Sequence, residues 1–167
     1  MGDIVRIHLS CIPPTANHQR KRIVRIKLRD GREFTKLADK PELRAATAML
    51  DSLLLSHQIP QPVAAPVALV IEFTWPWLST HGKRVRAQGR IPHTGRPDCD
   101  NAAKTLTDRL ADLRFIEDDK HIADLRVRKW WGNTPGIEIA IAPFIVQPTV
   151  ALHSQPTADL FSFAPLE

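Results

Sequence analysis

Cysteine is scarce in this chain of 167 residues: there are two, Cys11 and Cys99. Neither belongs to a CxxC pair, so no redox motif and no well-spaced zinc site can be assembled from them. A chain of this length buries enough surface to fold as about one domain without a disulfide or metal staple. Long apolar runs are also missing, which excludes a helix that crosses a bilayer. The start, "MGDIVRIHLS", alternates polar and apolar residues and lacks the uninterrupted apolar core of a signal peptide. Gly2 is followed by Arg6 where a myristoylation signal needs Ser or Thr. The expectation is a cytoplasmic protein with reduced thiols and no membrane partner. There are no internal repeats.

Positive charge is plentiful. The formal net charge is +5 and the pI about 9.6, a balance that suits a polyanionic partner such as nucleic acid. Basic residues fall in clusters: Arg20, Lys21 and Arg22 after a Pro-Pro pair; Lys83, Arg84, Arg86 and Arg90 in a stretch rich in Pro, Gly and His; and Arg126, Arg128 and Lys129 further on. Together with Arg96 they are the candidate DNA contacts. The competing reading is a set of solvated faces.

Hydrophobic periodicity orders the chain. Residues 4–9 alternate as a strand. Residues 11–22, with Pro13-Pro14, read as a loop. "IVRIKL" and "EFTKL" around Asp30-Gly31 predict a hairpin. A first helix should open near Asp39, with Pro41 in its first turn, and run to about His57; Leu43, Ala46, Leu50 and Leu53 or Leu54 form its buried stripe. "VALVIEFTW" reads as a central strand covered on both faces. Residues 76–97 lack periodicity and read as a long functional or mobile loop. A second helix is expected over about 101–113, with Ala103, Leu106, Leu110 and Leu113 inward. "IADLRVRKWW" and "GIEIAIA" then predict a hairpin around "GNTPG". Trp130 and Trp131 suit packing better than base stacking. Strands broken by two helices predict an α+β domain over residues 1–142, a mixed sheet with two main helices packed on it. Residues 143–167 read as a weakly ordered tail.

Carboxylates gather where a basic chain would be expected to avoid them. "RPDCDNAAK" sets Asp98 and Asp100 at a predicted helix start, with Lys104 one turn later; Asp118-Asp119 follow fourteen residues on. If residues 97–100 are extended, both aspartates project to one side, and Asp100 can cap the helix. Capping needs only one carboxylate. Two unit charges about 4 Å apart repel by roughly 4 kcal/mol at an effective dielectric near 20. A divalent cation offsets that repulsion, and candidate ligands that are all carboxylates favour Mg²⁺, or Mn²⁺, over zinc. The alternatives are a capped helix with a surface salt bridge and, at Asp118-Asp119, a polar turn before a strand.

The stretch from Arg96 to Lys129 resembles the signature of the RusA family of Holliday-junction resolvases. Asp98, Asp100, Asn101, Lys104, Asp108, Leu110, Asp118, Asp119 and Lys129 all fall in register. "IPPTANH" is similar to the family's N-terminal Pro-Pro-Ser-x-Asn, with Thr15 in place of Ser. The resemblance covers roughly residues 3–142. It implies a RusA-like fold and a homodimeric, Mg²⁺-dependent endonuclease cutting four-way DNA junctions. By position, Asp98, Asp100 and Asp119 are the essential carboxylates, Lys104 is the essential cation and Asp118 the weaker acid, all four acids being candidate metal ligands. The other functions to weigh are a Mg²⁺ nuclease for a different branched or flap substrate and a non-catalytic junction-binding protein. Finally, "QPTADLFSF", residues 155–163, resembles peptides that dock bacterial DNA enzymes on the replication sliding clamp. The usual Gln would fall at Thr157, or at Gln155 in a longer register. The other reading is a tail without a partner.

Overall fold

The computed structural model describes residues 4–15 and 21–145. Its elements in chain order are β1 (Val5–Leu9), β2 (Lys21–Lys27), β3 (Glu33–Asp39), α1 (Pro41–Leu55), β4 (Val67–Pro76), α2 (Lys83–Arg86), β5 (Arg90–Pro92), α3 (Cys99–Asp112), a 3₁₀ turn (Asp119–His121), β6 (Ile122–Gly132) and β7 (Gly136–Pro143). The fold is α+β. Five strands form a mixed sheet in the order β1-β7-β4-β6-β5, and β2 and β3 form a separate two-stranded ribbon.

The ribbon turns where Asp30-Gly31 predicts. Gly31 sits at φ +85°, a backbone region that costs glycine little and other residues much. The Asp30 carboxylate closes the turn by accepting from the Arg32 amide at 3.0 Å. Lys21 and Arg22, expected in the preceding loop, instead open β2.

Both main helices follow their apolar stripes. Leu43, Ala46, Leu50 and Leu54 are buried on α1, and Ala103, Leu106 and Leu110 on α3. They pack on one face of the sheet. That face is built from alternate residues of the strands, because successive side chains point to opposite sides: Val67, Leu69, Ile71, Phe73 and Trp75 of β4, and Ile137, Ile139 and Ile141 of β7, all buried. Asp51 on α1 and Arg109 on α3 form an ion pair at 2.7 Å that ties the helices together.

Three expectations need correction. First, β6 and β7 do not make a hairpin. The central strand β4 lies between them, parallel to β6 and antiparallel to β7. Alternation says which face of a strand is buried and is silent about its neighbour. Second, β4 is not covered by helices on both sides. Ala68, Val70 and Thr74 are only half-buried, and a cavity of about 300 Å³ opens there, lined in part by Arg6, His8, Glu72 and Glu138. Third, residues 76–97 are not all loop: they hold α2 and β5, and β5 pairs with the end of β6. Both elements are too short to show a period.

Candidate active site

The chain enters the acidic turn through a tightly held strap. His93 is buried, stacked on Trp131 with ring centroids 4.0 Å apart, and its Nδ1 accepts from the Gly95 amide at 3.1 Å. The Lys129 ammonium donates to the carbonyls of Gly95 at 2.6 Å and Pro97 at 2.5 Å. Burial, then the nearby Lys129 charge, hold the His93 pKa below the usual histidine range. Pro97 is buried, and its bond to Arg96 is cis. Lys129 from outside the strap and the His93 ring within it therefore fix the backbone immediately before Asp98.

Asp98, not Asp100, is the N-cap residue. Its backbone is extended and its carbonyl accepts from the Ala102 amide at 2.9 Å. Helix α3 begins at Cys99, so Asp100 lies inside the first turn. The two aspartates are not successive same-side residues of an extended segment, as expected. Asp98 makes no side-chain capping bond. Among the described residues neither carboxylate has an ion-pair or hydrogen-bond partner, and both are exposed. The positive end of the helix dipole and the free amides of its first turn lie beside them, a setting that favours negative charge.

Lys104 lies one turn past Asp100. Its ammonium donates to Asp108 at 2.5 Å and to Asp119 at 3.1 Å. These two hydrogen bonds, the one to Asp108 the larger, raise its pKa above the usual lysine range, so it stays protonated at neutral pH. The chain thus does turn back after α3, and the 3₁₀ turn brings Asp119 to the helix. Asp118 pairs with Lys120 at 2.8 Å. That side chain and the Lys120 amide hold the Asp118 carboxyl down to about 2.

The expected single cluster of Asp98, Asp100 and Asp119 around one ion is not gathered: among the described residues no group of three or more His, Cys, Asp or Glu is placed to hold a metal. Asp119 lies instead on the Lys104 ammonium, at 3.1 Å. The donor chemistry still suits a hard cation. Mg²⁺ keeps several waters and is commonly held by one or two carboxylates plus substrate phosphate, and Asp98 and Asp100 are two carboxylates with no competing partner among the described residues.

The basic residues divide into engaged and open ones. Lys129 holds the strap. Arg128 donates to the buried Glu72 at 2.7 Å, and Arg90 reaches the same carboxylate at 3.0 Å while lying 4.4 Å over the Trp130 ring. Trp130 also donates to Glu72, at 3.2 Å, so both tryptophans serve packing. Arg86 is tied to the carbonyls of Leu78 and His81. Arg126 pairs with Asp124 at 3.0 Å. Lys83, Arg84 and Arg96 are exposed. Arg20 and the clamp-like peptide 155–163 lie outside the described residues.

Sequence reasoning missed Glu72 and His93. A lone acid inside the apolar run "VALVIEFTW" was a usable signal for the first, since a buried carboxylate needs cationic partners. His93 carried none.

No helix among the described residues is long and apolar enough to cross a membrane. No curated protein matches the chain. The family model of endodeoxyribonuclease RusA matches residues 11–142, which include the strap, the aspartates, Lys104 and the Asp118-Asp119 turn. The chain therefore belongs to the RusA endodeoxyribonuclease family.

Proposed function

We propose that this protein resolves four-way DNA junctions by paired, Mg²⁺-dependent hydrolysis of phosphodiester bonds, acting as a homodimer. The observation that carries the reading is the contrast at the start of α3: among the described residues Asp98 and Asp100 have no ion-pair or hydrogen-bond partner, while Lys104 and Asp119 one turn away are bound to each other. Membership of an endodeoxyribonuclease family supplies the reaction class.

Asp98 and Asp100 would hold Mg²⁺, with Mn²⁺ as a substitute, and Asp119 would join them directly or through water, leaving Asp118 the weaker contributor. The ion, when bound, lowers the pKa of a coordinated water and polarises the phosphate. The chain's own residues do the rest. Lys129 and His93 fix the strap, so Asp98 is presented without backbone search. Lys104, protonated and oriented by Asp108 and Asp119, faces the phosphate and stabilises the negative charge that grows in the transition state. Lys83, Arg84 and Arg96 contact phosphates along the arms. The homodimer follows from symmetry: a four-way junction is two-fold related, and two matched nicks need two sites related the same way.

The test is nicking of a synthetic four-way junction, with and without Mg²⁺, beside a flap and a linear duplex. Paired symmetric nicks that need the ion are expected on the junction alone. Cutting of the flap in preference to the junction would move the substrate, and binding without cutting would make the protein a junction-holding factor.

A further inference from the structure

The β2–β3 ribbon makes no strand pairing with the five-stranded sheet. It is a separate sheet, and an isolated two-stranded hairpin is at best marginally stable in water. Residues 21–39 contain seven Lys and Arg against three Asp and Glu, a net +4 in a chain of net +5. Nearly all of the molecule's excess positive charge therefore sits on this one arm.

The two faces of the ribbon differ. Val24, Ile26 and Ala38 on one side are half-buried. Ile23, Arg25 and Lys27 on the other are exposed, and Ile23 is 69% accessible. The two acids whose side chains are described, Asp30 and Glu33, do little to neutralise the cations. Asp30 is taken up by Arg32 within the turn, at 2.6 Å. Glu33 lies 3.9 Å from Lys27, a weak and solvated pair. Arg25 and Arg29 form no ion pair with a described acid. A second copy of the arm is a poor occupant for this surface, because +4 would face +4.

Size and charge together select the partner. Strands of seven residues are about 23 Å long at 3.3 Å per residue. The DNA major groove, about 12 Å wide, admits a two-stranded ribbon and is walled by phosphates. We propose that the β2–β3 ribbon is a DNA-binding arm that lies in the major groove of one duplex arm of the substrate, with Arg25, Lys27 and Arg29 on the flanking phosphates and Ile23 toward the base edges. The proposal rests on DNA being the substrate, and adds how the duplex arm is gripped away from the acidic turn.

The test uses the full chain and a four-way junction in Ca²⁺, so that binding is read apart from cutting. Affinity is followed by fluorescence anisotropy between roughly 50 and 200 mM salt. The triple variant Arg25→Ser, Lys27→Ser, Arg29→Ser should bind at least about tenfold more weakly. Its log–log salt slope should fall by about 2 to 3, near 0.9 for each phosphate no longer neutralised. Arg25→Lys with Arg29→Lys keeps the charge and should keep the slope, which separates the removal of charge from a misfolded arm. Dimethyl sulfate reads guanine N7 in the major groove: the wild type should protect it on one arm, and the triple variant should not. An unchanged slope, unchanged N7 protection, or a change in oligomeric state without a change in DNA binding would each overturn the proposal. Because no step requires hydrolysis, failure of Mg²⁺-dependent cutting leaves this readout intact and distinguishes the two claims.

Discussion

Two aspartate pairs lie within about one helix length of each other and are treated in opposite ways. Asp118 and Asp119 are each answered by a lysine, Lys120 for one and Lys104 for the other. Asp98 and Asp100, at the positive end of α3, have no such partner among the described residues. Local composition does not explain this, since both pairs sit in polar turns. The strap does contribute: Lys129 lies under the turn, yet it donates to the carbonyls of Gly95 and Pro97 and leaves the carboxylates alone. With its ammonium engaged by those backbone oxygens, Lys129 forms no ion pair with Asp98 or Asp100. The two pairs therefore differ in their partners rather than in their local sequence.

That comparison can be broken most decisively at the open pair. Asp100→Asn should lower junction cutting by at least about a thousandfold, because a ligand and its charge are lost together. Junction binding should be intact or tighter, since one repulsion with phosphate is gone. Nicking of labelled junction beside a gel-shift titration checks both. Next comes the cation that joins the two pairs. Lys104→Met should slow single-turnover cleavage by roughly 10²- to 10³-fold, the usual cost of removing one donor to developing charge, and should also release Asp119. A loss below about tenfold would mean that Lys104 only ties α3 to the 3₁₀ turn.

The strap gives a smaller, sharper test. Lys129→Met should cost roughly tenfold to a hundredfold in cleavage rate through a loosened Asp98, while the salt slope of DNA binding stays at the wild-type value. A slope reduced by about one would return Lys129 to the role of phosphate contact. The smallest effect belongs to the acid already answered by Lys120. Asp118→Asn should leave the cutting rate within about threefold of the wild type, as exposed substitutions usually do. A larger loss would place Asp118 among the direct ligands.

Much of this was legible in the sequence, and the rest was hidden for specific reasons. Both main helices and their stripes follow from the 3.6-residue period, and the β2–β3 turn from Asp30-Gly31. The position of β4 between β6 and β7 was not legible, because period-2 alternation encodes a face and carries no label for a neighbour. Helix α2 and strand β5 escaped because four and three residues cannot display a period. In the site, residue types and their spacing singled out Asp98, Asp100 and Lys104 at the start of α3, and the structure sets Asp119 beside Lys104. Which aspartate opens the helix was not readable, since both are good cap residues and only the backbone dihedrals decide. Nor could spacing show that Lys129 and Arg128 are engaged by Pro97 and Glu72 rather than open to phosphate.

The central claim is that the unanswered aspartates hold the divalent ion. It is tested most directly by titrating Mn²⁺ into the full chain bound to an uncleavable junction, following free Mn²⁺ by electron paramagnetic resonance. The account predicts that Asp98→Asn and Asp100→Asn each weaken binding by at least about tenfold, while Asp118→Asn leaves it near the wild-type value. Equal affinity in the wild type and Asp100→Asn would contradict it.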